Sequence, residues 1–253
     1  MGAVVGVEYI QHFANARAAN ETAGEDLECP YYIANWFAPR MAQAGHTLRF
    51  LRSEHDVKEL HLRDESMAGD DVNNADSVDL YLIITHGSYN LKRAELLFDS
   101  PEERWKSSST DWRFGDNCNM EWLMIYGCHT VDKNEFDRHQ SVFQRLHLMC
   151  GAYGSMHDAW SVDEVGADTA DNLNSGMLVS DSWGDGVSDW YVANHPIVVS
   201  VERYETYNGG HILWPDTVIG CDHVWGKGYT FSDIRPEEQY WMAAHWWDGG
   251  LRG

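Results

Sequence analysis

The chain has few basic residues, few cysteines and no long apolar run. Its 253 residues include 18 Lys and Arg against 40 Asp and Glu, a formal charge of −22. This balance argues against nucleic acid as a partner, because neutralising phosphates requires a basic surface. No apolar run approaches the roughly 20 residues that cross a bilayer, so we expect no membrane partner. A hydrophobic content of 43% predicts a folded globular protein.

The five cysteines do not form a disulfide or zinc motif. Their number is odd, and no Cys-x-x-Cys occurs. The first residues have no basic stretch before their apolar run, so we expect a first strand here and not a signal peptide. Reduced thiols in a cytoplasmic protein are the natural interpretation. The cysteines are Cys29, Cys118, Cys128, Cys150 and Cys221.

Negative charge is concentrated late in the chain, where no Lys or Arg occurs between Arg145 and Arg203. One interpretation is a solubilising acidic face. The other is an acidic rim that attracts a cationic substrate group or Ca²⁺. The acidic residues of this segment are Asp158, Asp163, Glu164, Asp168, Asp171, Asp181, Asp185, Asp189 and Glu202.

Two short apolar runs each end on a reactive side chain. Residues 78–85 lead directly into His86-Gly87, and residues 120–126 lead into Gly127-Cys128. Short runs rich in β-branched and aromatic residues are typical of buried strands in a parallel sheet. Ligands of open α/β sheets bind at the carboxyl ends of such strands. The sequence therefore predicts a thiol and an imidazole on one rim of a sheet.

The rest of the chain alternates strands and helices, which predicts an α/β fold with a mostly parallel central sheet flanked by helices. Further strands are predicted over 3–13, 47–51, 95–98, 150–156 and 197–201. Helices are predicted over 27–44, 136–149 and most of 167–194, with part of 54–74 also helical. We expect Pro39 to end or kink the first helix and Gly184-Asp185-Gly186 to interrupt the last. No repeat or linker divides the chain, so one domain is expected over 1–253, with a core to about 202 and a Trp-rich elaboration beyond.

Cys128 is the candidate nucleophile, since a thiol with a base beside it attacks carbonyl carbon readily. His86 is the candidate base, because an imidazole can accept the thiol proton and later protonate a leaving amine. The backbone N–H groups of Gly87 and Cys128 are candidates to hold an oxyanion. A buried core thiol at position 128 is the alternative that these residues leave open.

This pattern resembles the caspase, legumain, gingipain and clostripain group of cysteine peptidases. In that group a His-Gly pair follows one central strand, and the Cys follows the next strand after a small residue. The matching residues are Thr85-His86-Gly87-Ser88 and Tyr126-Gly127-Cys128. The chain also resembles a bacterial family of such domains. It departs from several of these peptidases at Thr130, where they have a Gly two positions after the Cys.

The resemblance implies a caspase-like α/β sandwich and a Cys128–His86 dyad, with Gly87 and Cys128 supplying the oxyanion hole. It also places the substrate pocket beyond the nucleophile strand, where Asp158, Asp163 and Asp185 would favour a substrate amine or guanidinium. His129 is a further candidate for substrate binding. We expect no cofactor and no metal, since the metal set of His86, Cys128, His129 and His157 has no dense ligand spacing.

Three functions stay open at this point. The first is a cysteine-dependent hydrolase or acyl-transfer enzyme acting on an amide or peptide bond. The second is a small-molecule cyclase or isomerase that uses the same pocket for acid–base chemistry, with Asp79, Asp116 or Asp132 as the acids. The third is a non-catalytic binding module on the same scaffold, because fold does not fix function.

Overall fold

The computed structural model of the chain describes most of its residues. The described ranges are 2–19, 25–90, 93–102, 104–116, 120–158, 164–188, 194–202, 205–207, 210–212, 222–228, 230, 233–239 and 241–247. No helix within these ranges has the length and apolar character that crossing a membrane requires.

The strands of the described residues fall into three sheets. In chain order they are β1 (Val4–Tyr9), β2 (Thr47–Ser53), β3 (Leu80–Ile84), β4 (Gly87–Asn90), β5 (Arg93–Leu97), β6 (Lys106–Ser108), β7 (Trp122–Tyr126), β8 (Leu148–Ala152), β9 (Pro196–Glu202), β10 (Glu205–Tyr207), β11 (Gly210–Ile212) and β12 (Trp241–Trp246). The main sheet has the order β12-β9-β8-β7-β3-β1-β2. A smaller sheet has the order β4-β5-β6, and β10 pairs with β11.

The main sheet is mostly parallel, as the sequence predicts. Neighbouring strands from β2 to β8 run parallel. β9 is antiparallel to β8, and β12 is antiparallel to β9. β3 and β7 are neighbours at the centre, and every residue of both is buried. The prediction of two fully buried strands before His86 and Cys128 is therefore confirmed.

Four α-helices accompany the sheet in the described part of the chain. They are α1 (Ala14–Ala18), α2 (Pro30–Gln43), α3 (Glu164–Ser175) and α4 (Val179–Val187). α2 packs against β1, α3 packs against α2 and α4, and α4 packs against β8 and β9. A Cβ at Gly166 would lie 2.1 Å from the Ile33 carbonyl oxygen, so a glycine is required where α2 and α3 meet.

The helix predicted over 136–149 is wrong. The chain instead forms a 3₁₀ segment at Phe136–Val142 and then joins the sheet as β8. The amides of His147 and Leu148 both donate to the Glu121 carbonyl, which draws this segment into extended pairing beside β7. Apolar residues that matched helical spacing are thus divided between a turn and a strand.

Pro39 does not end α2, and Gly184-Asp185-Gly186 does not interrupt α4. α2 continues past Pro39 to Gln43, because its buried apolar face outweighs one missing hydrogen bond. α4 runs through Gly184 and Gly186 to Val187. A Cβ at Gly186 would lie 2.7 Å from the Thr169 amide nitrogen, so this glycine lets α4 approach α3.

Other boundaries shift in smaller ways. The first strand ends at Tyr9, short of the predicted end at residue 13, and α1 begins directly after that predicted end, at Ala14. The 54–74 segment contains 3₁₀ turns and no α-helix. The predicted strand over 95–98 is β5, the middle strand of the small sheet that fills the connection from β3 to β7. From the Trp-rich tail, β12 joins the edge of the main sheet.

Candidate active site

The carboxyl ends of β3 and β7 lie side by side. Ile84 is paired with Tyr126, and the Thr85 amide donates to the Tyr126 carbonyl at 3.2 Å. The residues that follow, His86 and Cys128, consequently leave the same edge of the sheet at neighbouring positions. This is the edge at which α/β sheets bind ligands.

A cavity of about 310 Å³ opens between these strand ends, the segment before α2 and the segment after β8. Its volume is at the lower end of the range of small-molecule sites. The residues that line it are Glu25, Asp26, Leu27, Glu28, Cys29, Ile84, Thr85, His86, Tyr126, Gly127, Cys128, Met156, His157 and Asp158. The predicted nucleophile and base therefore share one cavity.

His86 is held by a backbone carbonyl and an aromatic ring. Its Nε2–H donates to the Glu25 carbonyl at 2.8 Å. Its ring lies 4.7 Å, centroid to centroid, from that of Phe13. Because a carbonyl only accepts, the neutral imidazole carries its proton on Nε2, which leaves Nδ1 as the basic nitrogen. The orientation of the base is thus fixed by Glu25 and Phe13.

Cys128 is half-buried, and its sulfur contacts the segment after β8. The Met156 amide donates to Sγ at 3.3 Å, and Sγ lies 3.7 Å from the Met156 carbonyl oxygen. Within the described residues no hydrogen bond joins this thiol to His86. Catalytic hydrogen bonds are often long without substrate, so this separation is compatible with a dyad that tightens on binding.

The backbones of Gly87 and Cys128 approach closely. A Cβ at Gly87 would lie 2.5 Å from the Cys128 carbonyl oxygen and 3.1 Å from its amide nitrogen, so only glycine fits. The Leu97 amide donates to the His86 carbonyl, and Gly87 is opposite Leu96. Antiparallel pairs alternate, so the Gly87 N–H points away from β5. This N–H has no partner on β5, but Gly87 lines the neighbouring cavity beside β5 and not the one that Cys128 lines, so the oxyanion hole stays a prediction.

The other described thiols are buried and unsuited to chemistry. Burial, with a smaller effect from Asp158, raises the pKa of the Cys29 thiol well above its usual range. Burial alone raises the pKa of Cys150. All three described cysteines are free thiols. Cys118 and Cys221 lie outside the described residues, so Cys128 is the accessible thiol of the described part.

The predicted substrate-binding residues have different places. Asp158 lines the cavity, but its Oδ1 accepts the amides of Glu28 and Cys29 at 2.7 and 2.9 Å, so it holds the backbone just before α2. Asp185 lies on α4 and is not among the residues that line the cavity. Asp163 lies outside the described residues. Their roles in substrate binding remain predictions.

His129 lies next to the nucleophile without lining the cavity. It is exposed, with a φ of 50°, a left-handed conformation uncommon outside glycine. Its amide donates to the Gly154 carbonyl at 2.8 Å, and its Nε2 lies 3.3 Å from the Ser155 hydroxyl. These contacts fix the sharp turn that follows Cys128.

The cavity is acidic because of residues that sequence reasoning missed. The side chains of Glu25 and Glu28 are exposed at its rim, and no Lys or Arg is among its lining residues. Asp26 also lines it, but a hydrogen bond from Arg17 lowers the pKa of that carboxyl and partly offsets its charge. These acids precede α2 in the sequence, far from the nucleophile. Only the folded chain brings them to Cys128.

Donor groups that could hold a metal converge elsewhere in the described part. One group is Glu121, His147 and Asp233, and the other is Asp64, Glu65 and Asp71. The set of His86, Cys128, His129 and His157 does not form such a group. The acids considered for acid–base chemistry, Asp79, Asp116 and Asp132, do not line the cavity.

Comparison with known proteins identifies a family for the chain. No curated protein matches it. A family match covers residues 8–247, which include every strand that forms the cavity edge. The chain therefore belongs to the family described as Domain of unknown function (DUF6345).

Proposed function

We propose that this protein is a cysteine-dependent hydrolase or acyl-transfer enzyme that acts on an amide or related acyl bond. The observation that carries the proposal is the shared cavity of Cys128 and His86 at the ends of two adjacent central strands. A core thiol has no need of a cavity that it shares with an imidazole held in a fixed orientation. Cys128 lies in such a cavity.

The order of elements supports the resemblance to the caspase-like peptidases. That resemblance implies a His-Gly pair after one central strand and a Cys after the next. Here β3 leads to His86-Gly87, and its sheet neighbour β7 leads to Gly127-Cys128. A caspase-like identity for this α/β sheet is part of the proposal.

The proposed reaction follows from the atoms in the cavity. The Cys128 thiol passes its proton to His86 Nδ1, and sulfur bonds to the acyl carbon. The carbonyl oxygen becomes an oxyanion held by the N–H groups of Gly87 and Cys128. The C–N bond breaks as His86 returns the proton to the leaving amine. Water, or another amine in acyl transfer, then attacks the thioester and restores the thiol.

The charge around the cavity supports a cationic substrate group. Glu25 and Glu28 stand at the rim, and Asp158 faces the same space. The negative potential of these carboxylates would attract a substrate lysine, arginine or small amine. An ionised carboxylate of a substrate would be repelled. The pocket therefore favours basic over acidic substrates.

A covalent probe tests the proposal without knowledge of the natural substrate. The probes are two peptidyl acyloxymethyl ketones, one with Lys and one with Asp beside the reactive ketone. We expect Cys128 to be alkylated faster by the Lys probe, as read by mass spectrometry of the modified peptide. We expect His86→Gln to slow this labelling by roughly 100-fold or more, because a general base contributes at least that much.

The matched control is His55→Gln, which removes an exposed imidazole away from the cavity. It should label like the wild type. Cys128→Ala should remove the modification altogether. If Cys128 is labelled no faster than an unstructured thiol, or if His86→Gln has no effect, the hydrolase proposal fails. A binding module would then be the better account.

A further inference from the structure

A second group of polar side chains lies at the amino ends of the central strands, whereas the cavity lies at their carboxyl ends. Glu121 immediately precedes β7, and His147 immediately precedes β8. Cys128 follows the other end of β7, so extended chain separates the two sites by roughly 20 Å. Asp233 reaches the group from the C-terminal part of the chain. The proposed chemistry at the cavity uses none of these residues.

Three donor atoms converge at this edge. His147 Nε2 lies 2.8 Å from Glu121 Oε2 and 3.8 Å from Asp233 Oδ1. All three atoms lie within 4.8 Å of one another. Bonds of about 2.0–2.2 Å to one ion place its donors roughly 3.0–3.5 Å apart. The observed separations bracket that value.

Two of these atoms are buried without a hydrogen-bond partner. The side chains of His147 and Glu121 are 1% and 8% exposed. Although their Nε2 and Oε2 atoms are close, they do not have hydrogen-bond geometry, and neither atom has another hydrogen-bond partner. Leaving such atoms unsatisfied is costly. A cation bound between them would satisfy both.

The other side of the imidazole is held as metal-binding histidines are held. His147 Nδ1 donates to Asp222 Oδ2 at 2.9 Å, and the Trp122 indole N–H donates to the same oxygen at 2.6 Å. Asp222 is completely buried. With Nδ1–H donating to Asp222, Nε2 is the nitrogen that would bind an ion in place of its proton, and a buried carboxylate behind the ring is the usual support for a metal ligand.

The backbone fixes the same arrangement. The His147 amide donates to the Glu121 carbonyl at 2.8 Å, which holds the two ligand-bearing residues side by side. The Val179 amide donates to the Asp222 carbonyl at 2.9 Å. Two donors are therefore positioned by the sheet. The third, Asp233, has a side chain that is 51% exposed and leaves a path for an ion to enter.

We propose that Glu121 Oε2, His147 Nε2 and Asp233 Oδ1 bind one divalent first-row transition-metal ion, such as Zn²⁺. An imidazole with two carboxylates suits these ions better than Ca²⁺ or Mg²⁺, which take oxygen ligands. Water completes the coordination on the exposed side. The ion joins the C-terminal part of the chain to the amino ends of β7 and β8.

The test is a titration of metal-free protein with Zn²⁺ by calorimetry, together with the melting temperature. It is carried out in Cys128→Ala protein, because a thiol and imidazole in the cavity also attract Zn²⁺. We expect one tight Zn²⁺ per chain and a higher melting temperature with Zn²⁺. Asp233→Asn should weaken binding at least about tenfold, and Asp222→Asn by roughly 10–100-fold through the ring it orients.

Asp137→Asn is the matched control, since it removes an exposed carboxylate outside the group. It should bind Zn²⁺ with unchanged affinity. Because Asp233 is exposed, its variant tests the site even if a change at His147 prevents folding. The proposal is overturned if folded protein takes up no Zn²⁺, or if Asp233→Asn binds it as tightly as the Asp137→Asn control. The group would then be an ion-pair network with a proton on His147 Nε2.

Discussion

Replacing Gly87 by alanine should impair the site more than any other single methyl addition beside it. The new Cβ would lie 2.5 Å from the Cys128 carbonyl oxygen, whereas ordinary contacts begin at 3.4 Å. It would also lie 2.9 Å from Thr130 Cγ2. Both obstacles belong to the segment that carries the nucleophile. That segment must therefore move by about 1 Å, because neither a carbonyl nor a buried β-branched side chain can rotate away.

The expected magnitudes follow from this displacement. Overpacking of a close contact costs about 1–3 kcal/mol of unfolding free energy. A misplacement of about 1 Å among reacting groups can reduce a rate by about 100-fold. Gly87→Ala should therefore lower the melting temperature and slow labelling of Cys128 by the Lys acyloxymethyl ketone by about 100-fold. The loss in labelling should exceed what the modest loss of folded protein explains.

The assay compares labelling rates well below the melting temperature of each variant. Ser88→Ala is the control, because it changes the exposed neighbour on the same strand. It should retain the wild-type rate and stability. A wild-type labelling rate in Gly87→Ala would refute the close approach of Gly87 to Cys128, and with it the proposed oxyanion hole.

Three further predictions test other parts of the structure. Burial, followed by the nearby carboxylates of Asp76 and Asp64, raises the pKa of Asp71 to about 8. Because the folded state holds this proton more tightly than the unfolded state, the contribution of Asp71 to stability should fall as pH rises from 3.8 to about 8. Asp71→Asn should therefore raise the melting temperature at pH 8 but not at pH 3. A variant without that pH dependence would contradict the assignment. Asp158→Ala should destabilise the protein by about 1–2 kcal/mol in urea unfolding, because it removes the acceptor for two amides before α2. Unchanged stability would show that these two hydrogen bonds do not stabilise the fold. The double change Glu25→Gln and Glu28→Gln should reduce the ratio of Lys-probe to Asp-probe labelling rates at low salt. The control Glu237→Gln, outside the cavity, should leave this ratio unchanged. An unchanged ratio in the double variant would show that these carboxylates do not select the substrate charge.

Much of the sheet follows from local sequence, because buried strands need continuous apolar residues. β3, β7 and β9 are predicted close to their observed bounds for this reason. The 136–149 segment is mispredicted, since its apolar residues satisfy a turn and a strand as well as a helix. Its extended end is decided by pairing with Glu121, a contact invisible in the local sequence. The continuation of α2 through Pro39 likewise depends on tertiary packing.

The candidate site divides in the same way. His86, Gly87 and Cys128 are predictable, because each follows an apolar run at a strand end. Glu25 and Glu28 are not, since they belong to a segment whose position is set by the packing of α2. Asp158 is found from charge, but its contact with the start of α2 emerges only in the fold. The residues at strand ends can be predicted from the local sequence, whereas the side chains that other segments place opposite them cannot.

The proposed metal site of Glu121, His147 and Asp233 has the weakest sequence signal. Its donors are distant in sequence, and no dense ligand spacing joins Glu121, His147 and Asp233. They meet because β7 and β8 begin side by side and the C-terminal part of the chain crosses that edge. A pattern search within one segment would miss such a group.

The alkylation rate of each cysteine by iodoacetamide across pH, read by mass spectrometry, tests most directly whether Cys128 and His86 act as a pair. We expect Cys128 to react fast below pH 7, His86→Gln to abolish this fast reaction, and buried Cys29 and Cys150 to stay slow in folded protein. If Cys128 reacts no faster than those buried thiols, or reacts equally fast without His86, then the two residues do not form a catalytic pair.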